Sequence, residues 1–487
     1  MKVWPCEVIR AAERELFAGG AVTSAGLMSA VVERLWQAVN REPELCGLRP
    51  QRVVVYAGRG NNAGDALGLA ARFRCPVTVR AACGLHEFSA ESAQQFALLA
   101  GHELSTEAPE AQSGVLIIDG LLGSGATGAL REPYAELVRE MNELRAASPR
   151  SCTLAIDVPT GLNADTGEVL GEAVCADVTA VIGCVKPGML ADGAENYVGR
   201  LLCIPLPEVA LPAQATAQVA TAELLRGLPP REYSCFKNRA GRVNIVAGSV
   251  GYVGAAQMCA EAALATGAGL VALYCREDVY PVLAARVAAE VMVVPVRHYR
   301  EVPVDGVQAL VLGPGLGKLR GGDLRSLYDL VKSCPVPMVV DADALNLAAE
   351  YGWQLPPHCI LTPHPGEMRR LYPAGADLSR AECARRYVEE HPCTLLLKGA
   401  RSIITNGAET WYNSTGGPYM ANGGQGDVLA GTIGALVAQG MPPLRAAVLG
   451  AWLCGQAAAT AHMQMGYPVA VRATEVIARL AQCLAMP

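Results

Sequence analysis

The sequence predicts an α/β protein of two consecutive domains, each built on a mostly parallel sheet. Three observations carry this. At 487 residues the chain is longer than one hydrophobic core usually supports. Short β-branched runs, several ending in Asp or Gly, alternate with helix-length segments, as βαβ units do. Composition is 51% hydrophobic with mean hydropathy +0.24, yet with only five Phe and five Trp. That suits buried strands covered by helices rich in Ala and Gly.

The same numbers set other classes aside. A net charge of −6 with no basic cluster argues against a nucleic-acid partner. No apolar run reaches the ~18–20 residues a membrane span requires; the longest, Ala262 to Cys275, is broken by glycines. The N-terminus meets charge before any apolar stretch, unlike a signal peptide. The seventeen cysteines are odd in number, scattered and without a CxxC pair, so reduced core thiols are expected and not a zinc site. A cytoplasmic homo-oligomer without membrane contact is the expectation.

In order, residues 1–50 read as helical with a break at Gly19-Gly20. Arg52–Ala57 (RVVVYA) is a buried strand by length and flanks. It runs into a loop at Gly58–Asp65 (GRGNNAGD) and then a helix to about Phe73. Gly58-x-Gly60-x-x-Ala63 matches a dinucleotide fingerprint on paper, but the next strand, near Val77–Ala81, ends without the acidic residue that holds a ribose. Two Asn side chains and an Asp between glycines instead suggest a polar site. Strand-like runs recur at Val115–Asp119, Thr153–Asp157, Asp177–Ile182 and Leu201–Ile204, with helices expected at Glu87–Ala100 and Pro133–Leu144. Sites in such folds lie at strand C-terminal ends. Asp119, Asp157 and Asn62 therefore form a candidate set of hard oxygen ligands for an alkali or alkaline-earth ion.

These motifs resemble the NAD(P)H-hydrate epimerases, over about residues 1–205. The resemblance rests on Gly60–Ala66 (GNNAGDA), Ile118–Gly120 to Gly123–Gly125, Asp157–Gly161 (DVPTG) and Lys186-Pro187-Gly188. It implies a Rossmann-like three-layer domain. It makes Asn62, Asp119 and Thr160 ligands of a potassium ion. Asn61, Asn62, Ala63, Gly64 and Asp65 would line the hydrate site, with Gly123, Ser124, Gly125, Ala126, Thr127, Gly128, Ala129 and Asp157. Asp157 is the candidate for proton transfer at the inverting carbon. Thr160 replaces a usual Ser and keeps the hydroxyl. Ala63 and Ala66 stand where glycines are usual, adding methyls to a loop that needs close backbone approach. The family's early LMExAG is only partly matched by Leu27–Val32.

Pro205 to about Pro230 is rich in Pro, Ala, Gln and Thr. The expected division is therefore domain 1–210, linker 211–230 with a short helix at Thr221–Leu228, and domain 231–487. In the second domain strands are placed at 243–247, 269–275, 291–296, 307–312, 336–341, 359–362, 394–398, 401–405 and 410–413. No Walker A sequence occurs, since Gly313–Lys318 has the wrong spacing. The informative run is Met420–Gly431 (MANGGQGDVLAG), with three glycines in four positions and then Asp427. Glycines entering a helix turn backbone N–H groups toward an anion. A carboxylate beside them suits removal of a proton from an attacking hydroxyl.

That run is similar to the GxGD loop of the ribokinase-like superfamily. Five further motifs narrow the resemblance, over roughly 230–487, to the ADP/ATP-dependent NAD(P)H-hydrate dehydratases. They are Gly248–Ala256, Gly313–Gly317, Asp341–Leu345, Thr362–Glu367 and Lys398–Ala400. The resemblance implies Asp427 as catalytic base and Gly426 in the anion site. It places the nucleotide, ADP or less readily ATP with magnesium, on Lys398, Gly399, Ala400, Arg401 and Ser402. Ala255, Gly317, His364 and Asp427 would contact the hydrate. Gln425 stands where Thr or Ser is more usual. The bland alternatives are that His364 is a rigid-loop residue, Asp341 and Asp343 are helix caps, and Gly315–Gly317 is a plain turn.

The sequence thus reads as a bifunctional enzyme acting on NADHX and NADPHX, epimerising R- and S-hydrates and dehydrating the S form. Two rivals share features with it. One is a small-molecule kinase of the hydroxymethylpyrimidine or thiazole type, which shares the fold and the GxGD loop. The other makes the N-terminal half a non-catalytic binding module, as in mRNA-decapping scaffolds.

Overall fold

The computed structural model describes residues 1–485 except 43, 44, 46, 102, 103, 127 and 216. It divides into two compact units, Met1–Val219 and Ala220–Pro487. The division falls inside the expected linker, much of which is built into the units. Residues Ala217–Val219 form a strand antiparallel to Lys2–Val3. The expected short helix is a 3₁₀ segment, Ala222–Gly227, with Ala220 in the core of the second unit and Leu224, Leu225 and Leu228 half-buried against it. Apolar residues at helical spacing there gain more by burial than a free linker allows.

Strands are numbered β1 (Lys2–Val3), β2 (Arg52–Ala57), β3 (Val77–Ala81), β4 (Leu104–Ser105), β5 (Val115–Gly120), β6 (Cys152–Ile156), β7 (Val178–Ile182), β8 (Arg200–Ile204) and β9 (Ala217–Val219) in the first unit. Its sheet runs β4-β3-β2-β5-β6-β7-β8, and every pairing in it is parallel. Order reverses between β2 and β5, which creates a crevice beyond their C-terminal ends. The loops carrying the Asn-Asn pair and Gly123 leave from those ends. The N-terminal region forms helices Cys6–Ala18 and Ser24–Val39, separated at the Gly-Gly break.

The second unit contains β10 (Arg242–Val246), β11 (Leu270–Arg276), β12 (Val291–Val296), β13 (Ala309–Leu312), β14 (Met338–Val340), β15 (Cys359–Leu361), β16 (Thr394–Leu397), β17 (Ser402–Thr405) and β18 (Thr410–Asn413). Each of the nine expected strands is present, with ends moved by one or two residues. They lie in the order β18-β17-β16-β15-β14-β13-β10-β11-β12. The pairings are parallel from β16 to β12, and antiparallel where β16, β17 and β18 meander. Here the order reverses between β10 and β13. The loops that leave those strands are joined by Gly248 N–H to Pro314 O (2.9 Å) and Ser249 Oγ to Gly315 O (2.8 Å). No helix among the described residues is long and apolar enough to cross a membrane.

Helix Gln425–Ala438 is buried along most of its length and packs on Val253–Ala265. The approach is close because Gly431 has no side chain. A Cβ there would stand 2.0 Å from the Cys259 carbonyl oxygen, which is backbone and cannot swing aside. Gly431→Ala should therefore cost about 1–3 kcal/mol, the usual range for overpacking. Thermal unfolding checks this, with a lowered Tm expected and an unchanged Tm placing the helix elsewhere.

Candidate functional site

In the second unit the site gathers at the C-terminal edge of the parallel strands. Helix Gln425–Ala438 starts from Gly424, which is left-handed (φ 95°), and no side chain caps its first turn. Its first N–H groups therefore lack intrahelical partners, and the dipole favours an anion there. The loop is anchored from behind. Gln425 Nε2 donates to Asn422 Oδ1 (3.1 Å) and Val471 O (3.0 Å), and Asn422 Nδ2 donates to Val471 O (2.9 Å). The residue that departs from the family pattern thus braces the loop through its amide.

Asp341, at the end of β14, is almost fully buried. Its Oδ1 accepts from Lys398 Nζ (2.8 Å) and Thr362 Oγ1 (2.8 Å). Gly426 borders this pair: a Cβ built on it would lie 3.4 Å from Lys398 Nζ and 3.7 Å from Asp341 Oδ2. Asp427 follows on the same turn, half-buried. Burial first, and the negative charge of Asp341 second, push its carboxyl up to about 7, although Lys398 pulls the other way. A carboxyl poised there is well matched to base catalysis near neutrality. Burial works against the Lys398 ammonium, but Asp341 and Glu367 outweigh it and hold the pKa above its ordinary value.

The bland alternatives divide. His364 does cap a helix, Pro365–Leu371: Nδ1 accepts from Gly366 N–H (2.9 Å) and Glu367 N–H (3.4 Å), leaving the proton on Nε2. Asp341 starts a helix but makes no capping bond with its side chain. Asp343 holds the turn at Gly317, whose N–H donates to Oδ2 (2.8 Å). Ala255 stands beside Gly315 in that same corner. Sequence reasoning missed Glu367, whose Oε2 accepts from His364 N–H (2.8 Å) and lies 3.8 Å from Lys398 Nζ. It also missed Arg380. The turn at Lys398–Ser402 closes locally, Gly399 N–H to Ser402 Oγ (3.3 Å), while the Arg380 guanidinium donates to the carbonyls of Leu397, Lys398 and Arg401. No motif marks an arginine that works on backbone from another helix.

In the first unit the expected loop at 61–65 is the opening of helix Asn61–Ala70, entered through Gly60. Ala63 and Ala66 are therefore helical, and their methyls belong to the core cluster under β2. Gly64 also faces inward, where a Cβ would strike the Met28 side chain. Asn62 sits beside Gly123, its Cγ and Oδ1 3.6 Å from where a Gly123 Cβ would be, and its Nδ2 is buried without a partner in the protein. Ser124, Gly125, Ala126, Gly128 and Ala129 continue the same loop at or near the surface. Thr127 lies outside the described residues.

Asp119, at the end of β5, is fully buried. Its Oδ1 accepts from Thr160 Oγ1 (2.7 Å) and Leu121 N–H (3.2 Å), and its Oδ2 accepts from Thr160 N–H (2.7 Å). Burial pushes its carboxyl up to about 6 against those hydrogen bonds. Asp157 has left-handed backbone (φ 64°), accepts from Ile182 N–H, and pairs with Lys186, whose ammonium also donates to Ile182 O (3.1 Å). Asp65 is buried with Oδ1 unpartnered, and burial with the charges of Asp157 and Glu13 raises its pKa well above the ordinary range. No described cysteine is in a disulfide. Among the described residues no three His, Cys, Asp or Glu side chains converge as for a tightly held metal.

Fold and sites define an enzyme that joins a kinase-like unit, with an uncapped glycine-rich helix start and a carboxyl raised by burial, to a second parallel-sheet unit with its own cluster of polar side chains. Residues 243–482 match the family described as NAD(P)H-hydrate dehydratase, and 24–188 match the YjeF-related protein N-terminus. The bifunctional NAD(P)H-hydrate repair enzyme of Coxiella burnetii is 34% identical over 435 residues, 85% of this chain and 87% of that protein. The Escherichia coli protein of the same description is 33% identical over 472 residues, covering 94% and 89%. A solved ribokinase-like superfamily protein from Enterococcus faecalis is 25% identical, with TM-score 0.51, over 56% of this chain and 98% of that one. The chain belongs to the family of bifunctional NAD(P)H-hydrate repair enzymes.

The raised Asp427 carboxyl has a consequence for stability. A carboxyl whose folded pKa, about 7, exceeds its ordinary value of 3.8 stabilises the fold below the lower value. That contribution is lost as pH rises through the higher one. Asp427→Asn should therefore have a higher Tm than wild type at pH 8, by about 2–4 °C for each kcal/mol regained. The gap should shrink toward pH 4. An equal gap at both pH values would mean the carboxyl is not perturbed.

Proposed function

We propose that the second unit restores hydrated NADH and NADPH by phosphorylating and then eliminating the C6 hydroxyl, and that the first unit interconverts the C6 epimers. The observation that carries the dehydratase half is the placement of Asp427 on the turn whose free N–H groups, with Lys398, make an anion site.

Hydroxide is a poor leaving group at neutral pH, whereas a phosphate ester leaves readily. Asp427 takes the proton of the C6 hydroxyl as its oxygen attacks the terminal phosphorus of ADP, or less readily ATP. The bond to the departing nucleotide oxygen breaks with its electron pair. The N–H groups of Gly424–Gly426 and the Lys398 ammonium hold the charge of the transferring group. Loss of phosphate from C6 and of a proton from C5 then restores the double bond. Gly399, Ala400, Arg401 and Ser402 hold the nucleotide on a turn kept in shape by Arg380. Ala255, Gly317 and His364 hold the hydrate. Magnesium would arrive with the nucleotide phosphates, a mode that needs few protein ligands.

In the first unit, Asn62, Asp119 and Thr160 are the proposed ligands of a potassium ion. The fit rests on the donor set: the Asp119 carboxylate and the Thr160 hydroxyl meet at the Leu121–Leu122 backbone, and the Asn62 amide oxygen stands beside Gly123. When bound, such an ion would supply a weakly held positive charge for the substrate's oxygens. Asp157, paired with Lys186, would move the proton at C6 within a crevice lined by Asn61, Asn62 and the loop that begins at Gly123. Net negative charge gives no reason for a nucleic-acid partner, and the free thiols support a cytoplasmic location.

A time course on the mixed epimers, resolved chromatographically, tests both halves. Wild type should clear both forms with ADP or ATP. Asp427→Asn should stall both, slowing dehydration about 10²–10⁴-fold, the usual worth of a positioned base. Asp157→Ala should clear the S form normally while the R form disappears only at its spontaneous rate. Recovery of neither epimer by wild type with either nucleotide would end the reading. Rapid R clearance by Asp157→Ala would remove that residue from epimerisation.

The pH dependence supplies a separate check. The base must be ionised, so the dehydration rate should rise through about pH 7 and level off above it. A rate already at its plateau at pH 5 would assign the proton transfer to another group.

A further inference from the structure

Lys398 extends from the end of β16, and nothing in its own strand decides where its ammonium goes. Two carboxylates do. Asp341 is the nearer, at 2.8 Å. Glu367 is 3.8 Å away and already accepts from His364 N–H. The Asp341 carboxylate is itself immobilised, buried at the end of β14 with Thr362 Oγ1 donating to the same oxygen from the end of β15. It does not cap the helix that begins beside it. The next residue, Ala342, has left-handed backbone (φ 50°), a conformation a non-glycine residue avoids. Chain strain is thus accepted at the point where the carboxylate is aimed. Both ends of the ion pair border Gly426, whose missing side chain leaves the ammonium open toward the anion-binding turn.

We propose that Asp341 is a positioning residue for phosphoryl transfer, holding the Lys398 ammonium over the Gly426 turn and placing a fixed negative charge opposite Asp427. The inference rests on the dehydratase reading above. Asp341 exchanges no proton with substrate; it acts through Lys398 and Asp427. The charged groups facing Asp427 are Asp341, Lys398 and Asp343, with Glu367 behind Lys398 and the Cys259 thiol beneath. Removing the Asp341 charge leaves Lys398 less compensated. Both changes favour the ionised form of Asp427, making it a weaker base that is available at lower pH.

The test is steady-state dehydration of the S-hydrate by the full chain, for wild type, Asp341→Asn, Lys398→Met, the double variant and Thr362→Val. Asp341→Asn should lower kcat about tenfold or more with a smaller change in nucleotide KM, the signature of an interaction made chiefly in the transition state. Its acidic limb should move to lower pH. The double variant should be no slower than Lys398→Met, because the two residues act as one unit. Thr362→Val, which frees the carboxylate without changing any charge, should lower kcat and leave the acidic limb in place. Should Asp341→Asn not fold, this variant decides alone. The idea is overturned by an unmoved limb with unchanged kcat in Asp341→Asn, by independent multiplying effects in the double variant, or by wild-type kcat in Thr362→Val. If wild type dehydrates the hydrate with neither ADP nor ATP, the dehydratase reading fails and takes this inference with it. If wild type is active and the variants behave as wild type, only the inference fails.

Discussion

The ion pair between Lys398 and Asp341, its carboxylate buried and its ammonium partly exposed, is the constraint around which the second unit's site is arranged. Taking a carboxylate out of water is costly, and attraction to the ammonium compensates only where geometry and further hydrogen bonds are good. Thr362 supplies that bond. The three residues end three neighbouring strands, β14, β15 and β16, so the pair ties the sheet's C-terminal edge together. It is drawn tight where helix Gln425–Ala438 begins. The free N–H groups of that turn, the ammonium and the Asp427 carboxyl therefore meet in one place, though they come from distant segments.

The first unit uses the same edge of a parallel sheet differently. Asp119 is satisfied by Thr160 and by backbone, Asp157 pairs with Lys186, and Asp65, its Oδ1 without a partner among the described residues, faces the charges of Asp157 and Glu13. Burial raises the carboxyls of Asp119 and Asp65, the first against hydrogen bonds from Thr160 and Leu121 and the second with the charges of Asp157 and Glu13. Backbone strain marks both units' sites, at Asp157 and at Ala342. Such strain persists only where surrounding structure over-determines the position, as the ion pairs to Lys186 and Lys398 do here.

Rigidity behind the sites comes from small residues. Gly431 lets helix Gln425–Ala438 lie against the backbone of Val253–Ala265, and Ala63, Gly64 and Ala66 let helix Asn61–Ala70 settle into its core. The low aromatic content follows from this: close helix contacts are made by removing side-chain volume, and dense packing is reached without large rings. The methyls of Ala63 and Ala66, in a motif where glycines are usual, are taken up by that core.

Much was legible in the sequence because it is local. Strand runs, the reversal loops, the GxGD turn and the Asp residues ending β5 and β6 each declare themselves within a few residues, through hydrophobic period and glycine placement. Only the tertiary structure decided which charges meet. Lys398 and Asp341 are 57 positions apart, and Asp157 and Lys186 are 29 apart. Their pairing follows from strand order, which no local pattern encodes. The same holds for Arg380, whose target is backbone, and for Glu367, which links His364 to Lys398. The alanines of the first unit's motif were legible as letters, but the direction of their methyls is set by a helix that starts at Asn61 and packs on the core. Residue types and their order are properties of the chain alone. Burial, and the shifted proton affinities it brings to Asp427, Asp119 and Asp65, exists only once distant segments exclude water around them.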